Sequence, residues 1–294
     1  MSDTFVVLGL DAADYDLVKK WDCENLLLSN HNGIDTFAHS LDVPATYEVW
    51  PTIATGVFPD QHGVTLPSSW EKKNRGFRFL EEIGTRLPKL LKSPAIKIKH
   101  SVEGHETKTS LDHMFNNGDV YNWPGLTSCP DWEQEGEWFS AVKNKSMSEQ
   151  NFRRNHLANA GKGIGWLSGM SQAGTPVVGA HVHILDHMGH LYGKRPEKLE
   201  SIYNEVDELV GWLHDQVDRL LIVSDHGMQT TATDDPQPGV HSFRSMVSTT
   251  EKGGLPEDMT AIREWVESRV KNNGEENMTE IDAPMQHLED LGYL

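Results

Sequence analysis

Cysteine is scarce in this chain. The 294 residues include two, Cys23 and Cys129, and they stand in no paired motif, as suits a reducing compartment. Long apolar runs are missing too. No stretch approaches the roughly 18 apolar residues that a membrane span needs, and no basic segment followed by an apolar run marks a signal peptide at the N-terminus. The expectation is a soluble, cytoplasmic protein without a membrane partner. Positive charge is in short supply, with 26 Lys and Arg against 44 Asp and Glu for a formal net charge of −18. Such a surface repels nucleic acid, so no nucleic acid duplex is expected as a partner. It repels anionic substrates as well, so a phosphate site would need strong local positive charge, and metal ions are the obvious source. The 37% of hydrophobic residues suffices for a full core, and the length suits one large α/β domain or a core carrying an insertion.

Three apolar runs stop abruptly at an acid. Leu220-Leu221-Ile222-Val223-Ser224 reads as a buried parallel strand, and Asp225-His226-Gly227 follows it. Gly227 would let the backbone turn away sharply. Phe5-Val6-Val7-Leu8-Gly9-Leu10 is a second such run, closed by Asp11. Taken alone, Asp11 reads as the cap of a helix whose first turn holds Ala12, Ala13 and Asp14. Val177 to Leu185 is the third, ending at Asp186, with His187-Met188-Gly189-His190 behind it. Asp186 and His190 are four apart, so in a helix or tight turn they project to one side and can share a metal ion, with Gly189 allowing a bend between them. Acids at strand ends lie where open α/β sheets bind ligands.

A hydroxyl stands at a helix start. Pro44 argues for extended backbone and Gly56 for a helix stop, which leaves a short helix with Thr46 near its N-terminus and Pro51 as a possible kink. Thr46 is either an N-cap or a nucleophile beside a bound phosphate. Residues 197–214 form the clearest helix, with Leu199, Ile202, Tyr203, Val206, Leu209, Val210 and Leu213 in one stripe and Pro196 near its start. His241, after a polar loop, could swing back to the strand ends as another metal ligand. Residues 66–175 show little sustained periodicity and read as an insertion or cap with some helix near Leu80 to Leu91. Within it, His105, His113 and His156 read as surface histidines. Gly161-Lys162-Gly163-Ile164-Gly165 lacks the ending and the preceding strand of a phosphate loop and is discounted. Residues 1–65 and 176–294 form the expected core. Ile262, Trp265, Val266 and Val270 suggest an amphipathic helix, and Met285, Leu288 and Leu291 a short terminal one.

Together these residues supply two metal sites with a hydroxyl between them, the arrangement that clamps the attacking and leaving oxygens of an in-line displacement. The ordered stretches Val7 to Asp11, Pro44 to Gly56 with Pro59-Asp60-Gln61-His62-Gly63-Val64, Asp186 to His190, Ser224 to Met228 and Gly239-Val240-His241 resemble the alkaline phosphatase superfamily, in particular its type I phosphodiesterase/nucleotide pyrophosphatase branch. The resemblance implies an α/β fold with a central, mostly parallel sheet flanked by helices and an inserted cap. It implies that Asp186, His190 and His241 hold one divalent ion and Asp11, Asp225 and His226 another. Zinc is the family's usual metal, and manganese is used in some branches. Thr46 would bridge them as the nucleophile and form a phosphothreonine on a small phosphate ester.

Two departures narrow the substrate. Pro67 stands where nucleotide pyrophosphatases usually place an Asn, which puts nucleotide diesters in doubt. Neither cysteine has the context of a sulfatase nucleophile, although residues 288–294 look like sulfatase C-termini. The leading expectation is a two-metal phosphodiesterase or pyrophosphatase. Its alternatives are a phosphomutase or phosphotransferase with the same centre, and a metal-binding interaction protein whose catalysis has lapsed.

Overall fold

The protein is described from a computed structural model covering residues 3–65 and 108–270. Expectations for Leu80 to Leu91, His105, Pro67 and the terminal segment with Met285, Leu288 and Leu291 fall outside the described residues. The sheet is built on β1 (Phe5–Leu10), every residue of which is buried. β1 pairs in parallel with β4 (Val177–Val182) and β5 (Leu220–Val223), and β4 pairs in parallel with β3 (Asp119–Tyr121). On the far side β5 meets β8 (Arg244–Thr249), antiparallel, and β8 meets β2 (Asn30–Asp35), again antiparallel. The six-stranded order is β2-β8-β5-β1-β4-β3, with β8 alone running against the rest. The carboxyl ends of β5, β1 and β4 therefore lie side by side along one edge.

Alternation along the strands divides the core. Val6, Leu8 and Leu10 face one side, with Val178, Ala180, Leu220 and Ile222. Five of the described helices carry residues of this cluster: α1 (Tyr15–Lys20), α4 (Pro130–Lys143), α5 (Glu149–Gln172), α6 (Ile184–Tyr192) and α7 (Pro196–His214). Phe5, Val7, Leu221 and Val223 face the other side, covered by α2 (Thr46–Thr55) and α8 (Ile262–Glu267). The α7 stripe packs as its spacing requires, with six of its residues buried and Leu209 partly so. Among the described residues no helix is long and apolar enough to cross a membrane.

Part of the stretch expected to be an insertion belongs to this core. β3 is an edge strand of the central sheet, and α5 is a 24-residue helix whose buried positions include Phe152, His156, Ala160, Gly163, Ile164, Leu167 and Ser171. Those positions recur at helical spacing, but histidine, alanine, glycine and serine disguise the stripe. His156, expected at the surface, is fully buried in it. The glycines of Gly161-Lys162-Gly163-Ile164-Gly165 are helix residues. The third strand is shorter than expected, because Ile184 and Leu185 are apolar residues in the first turn of α6 and not the end of β4.

The turn after β1 is held by Asp14 and not by Asp11. Asp14 caps α1 (Tyr15–Lys20), accepting from the backbone N–H of Asp16 and Leu17. Its other oxygen accepts from Met228 N, Ser242 Oγ and Arg244 Nε. Arg244 also reaches Asp235 at 2.7 Å and the Met228 carbonyl at 3.0 Å. This node clasps the ribbon of β6 (Gly227–Met228) and β7 (His241–Ser242) against the sheet. Gly227 serves close packing here: a Cβ would lie 2.4 Å from both the Arg244 carbonyl and Asp14 Oδ2.

Removing Asp14 leaves a part-buried guanidinium short of a partner and an uncapped helix. Asp14→Ala should lower unfolding stability by roughly 3 kcal/mol in denaturant titrations, whereas Asp16→Ala, at a half-exposed side chain, should change it by less than about 0.5 kcal/mol.

Candidate metal centre

Each strand that ends at the shared edge delivers a carboxylate. Asp11 follows β1 directly, Asp225 follows β5 after Ser224, and Asp186 sits in the first turn of α6, one short step beyond β4. α6 runs straight through Gly189, so His190 stands one turn after Asp186 on the same side. Gly189 supplies room and not a bend: a Cβ there would meet the Met228 side chain at 2.7 Å. Thr46 is the first residue of α2, and Ala45 is the cap position. The Thr46 hydroxyl is thus left to face the strand ends.

These seven side chains converge. Asp186 Oδ1 lies 3.3 Å from His190 Nε2 and 3.2 Å from His241 Nε2, and the two imidazole nitrogens are 3.2 Å apart. His226 Nε2 lies 3.3 Å from Asp11 Oδ1 and 3.3 Å from Asp225 Oδ2. Thr46 Oγ1 completes that group at 3.2 Å from His226 Nε2 and 3.5 Å from Asp11 Oδ1. Ligands held about 2.0–2.1 Å from one tetrahedral ion stand roughly 3.4 Å from each other, the spacing seen in both groups. The rings of His226 and His241 stack with centroids 3.8 Å apart and set the groups next to each other.

The outer contacts aim the donors inward. His190 Nδ1–H donates to the Gly239 carbonyl at 2.8 Å, His241 Nδ1–H to Pro44 at 2.8 Å, and His226 Nδ1–H to Gly227 at 3.0 Å. In the neutral ring each bond places the proton on Nδ1 and leaves Nε2 a bare lone pair facing the centre. The carboxylates are treated the same way. Asp11 Oδ2 accepts from His181 Nε2 at 2.9 Å and Trp50 Nε1 at 3.4 Å. Asp225 Oδ1 accepts from Ala12 N at 3.3 Å, and Asp186 Oδ2 pairs with His183 Nε2 at 3.1 Å. The remaining oxygens of Asp186 and Asp225 are buried without a hydrogen bond. With the rings neutral and the acids ionised, lone pairs on nitrogen and oxygen face each other, which suits a shared cation.

Electrostatics point the same way. Among the described residues every ion-pair partner of Asp11, Asp186 and Asp225 is a histidine. Burial, then the charge of Asp225, pushes the Asp11 carboxyl well above its usual range. Burial likewise raises Asp225, to about 7. Asp186 goes the opposite way: against its burial, His190 and His183 hold it well below the usual range. His226 and His181 are kept neutral by burial. Burial would lower His183 too, but Asp11, Asp186 and Glu135 raise it well above the ordinary imidazole value.

Sequence reasoning did not identify His181, His183 and Trp50, which orient the acids, or Glu135, which lies 3.3 Å from His183 Nδ1. A signal was present: the buried, otherwise apolar run from Val177 to Leu185 has histidine at alternate positions, 181 near the end of β4 and 183 at the cap of α6. His113, expected at the surface, is partly buried and lies outside this group.

Residues 5–290 match the family described as type I phosphodiesterase / nucleotide pyrophosphatase, and the chain belongs to that family. No curated protein matches the chain. Among solved structures it is similar to the alkaline phosphatase of the Antarctic bacterium TAB5, at 9% identity and a TM-score of 0.48, over 92% of this chain and 98% of that one. It is also similar to murine ectonucleotide pyrophosphatase / phosphodiesterase 5, at 13% identity and a TM-score of 0.39, over 77% of this chain and 57% of that one. An inactive threonine variant of the murine protein in complex with AMP gives 15% identity, a TM-score of 0.39 and the same coverage. The family assignment makes the protein a metal-dependent phosphoester hydrolase.

Raised carboxyl pKa values have a consequence for stability. In the metal-free protein, Asp225 keeps its proton to about pH 7 while the unfolded chain releases it near pH 4. The folded form therefore binds more protons between those values, and its stability falls as pH rises through that window. Chelator-treated protein should lose several degrees of melting temperature between pH 5 and pH 8, and protein reloaded with zinc should not, as read by differential scanning calorimetry.

Proposed function

We propose that the protein hydrolyses phosphodiester or pyrophosphate bonds in small molecules through a phosphothreonine at Thr46, with two divalent ions in the centre. Asp186, His190 and His241 would hold one ion, and Asp11, Asp225 and His226 the other. The mixed oxygen and nitrogen donors suit zinc, and manganese is compatible. When bound, the ions would supply positive charge for the phosphoryl oxygens and lower the pKa of a hydroxyl or water.

The observation that carries this reading is the position of the Thr46 hydroxyl. It sits at the positive end of α2, 3.2 Å from His226 Nε2, where its side chain caps nothing and has only the centre to face. Thr46 Oγ loses its proton and attacks phosphorus in line, and the bond from phosphorus to the leaving oxygen breaks as the Oγ–P bond forms. Water then attacks the phosphoryl-threonine, the Oγ–P bond breaks, and Thr46 regains its proton. The helix N-terminus favours the anionic phosphoryl group throughout. His181 and Trp50 keep Asp11 Oδ2 engaged, so Asp11 Oδ1 stays aimed at the hydroxyl.

Thr46→Ala should keep the metal content of the wild type while turnover of an aryl phosphodiester falls by roughly 10³-fold or more. Turnover within a few fold of wild type would remove Thr46 from the mechanism. Asp225→Ala should lose bound metal together with rate, by elemental analysis of chelator-washed protein. Full occupancy in that variant would place the centre elsewhere.

A further inference from the structure

A second group of donors lies behind the centre, on the helical side of the sheet. Glu135 of α4, His156 of α5 and His187 of α6 each bring one donor atom within 4.8 Å of the other two. Neither Glu135 nor His156 belongs to the two triads, and His187 borders them, with a donor atom also within 4.8 Å of donors on His183 and Asp186. Helix α6 presents Asp186 and His190 to the centre, and the next position, His187, turns about 100° away. His183 stands between the groups, with Nε2 3.1 Å from Asp186 Oδ2 and Nδ1 3.3 Å from Glu135 Oε2.

The group is built, not incidental. His156 has no exposed surface, and neither of its ring nitrogens has a hydrogen-bond partner. Nδ1 of His187 is buried and unpartnered as well. A neutral imidazole carries one N–H and one lone pair, and burying both without partners is unfavourable. Glu135 is ionised, because His183 and His156 offset the burial that would raise its pKa. Its Oε1 accepts from Asn159 Nδ2 at 3.0 Å and lies 3.7 Å from His156 Nδ1. That is too long for a good hydrogen bond but close to the roughly 3.4 Å between two ligands of one tetrahedral ion. Aromatic rings close the surroundings: Phe152 lies 4.4 Å and Trp138 5.5 Å from His156, centroid to centroid, and Phe139 stacks on His187 at 5.1 Å. An apolar wall around inward-facing donors excludes water and strengthens ligation.

We infer that Glu135, His156 and His187 form a further binding site for a borderline divalent cation of the zinc class, separate from the catalytic pair. Two imidazole nitrogens and one carboxylate oxygen are the donors such an ion takes. The ion would join α4, α5 and α6 through one atom. It would meet an unpartnered nitrogen on each of two buried rings, and it would leave Glu135 Oε2 with His183.

The test is a metal count on the full chain, stripped with chelator, reloaded with zinc and freed of loose ions by gel filtration. The wild type should retain one equivalent more than His156→Gln, with the same far-ultraviolet circular dichroism. Asp225→Ala, which disturbs the catalytic pair, should still lose a further equivalent when His156→Gln is added. This separates the inference from the reading of the active centre. Equal zinc content in the wild type and His156→Gln would overturn it. If His156→Gln does not fold, zinc-soaked crystals of the wild type decide. An anomalous peak within coordination distance of Glu135 and His156 supports the site, and its absence there overturns it.

Discussion

Three carboxylates are buried here without a lysine or arginine among the described residues to pair with them, and the surrounding structure is arranged around that constraint. Asp11, Asp186 and Asp225 are each 5% exposed or less. Uncompensated charge in such a place is strongly unfavourable; His183 and His190 are pushed toward the charged form, but burial keeps His181 and His226 neutral, so the imidazoles offset only part of it. Each acid has one oxygen tied to the fold, by His181 and Trp50, by His183, or by the Ala12 N–H. The other oxygen is directed to a common point. The hydrogen bonds of the fold thus orient the acids, and a cation would be suited to neutralise them.

The sheet makes this convergence possible. Parallel neighbours β5, β1 and β4 end at one edge, so three residues far apart in the chain meet without long loops. The antiparallel ribbon β6–β7 then folds His241 back over that edge. The Asp14–Arg244 node holds the ribbon, which explains why a buried acid three residues from Asp11 faces away from the centre. Asp14 holds the β1 turn, and Asp11 is left to face His226 and Thr46.

Most of the centre was legible in the chain because abrupt endings are a strong signal. An apolar run that stops at an acid has few bland explanations once it occurs three times. The boundaries were less legible: Ile184 and Leu185 continue the apolar run of β4, and only the structure assigns them to a helix. Helix α5 was hidden for a compositional reason, since a buried face made of His156, Ala160, Gly163 and Ser171 carries little hydrophobic signal. Glu135, His181 and His183 matter through contacts across 24 to 170 positions of sequence, and no local pattern encodes such a meeting. The helix cap was misplaced by three residues because Asp11 and Asp14 are the same residue type. Which one turns inward depends on Arg244, more than two hundred positions away.

The face-to-face contact of His226 with His241 joins residues from the two donor groups. Neither ring can tilt without displacing its neighbour. On the two-ion reading proposed above, an ion that seats one imidazole would stiffen the plane of the other, so the two halves of the centre would gain and lose their order as a unit. A half-filled state would then be disfavoured.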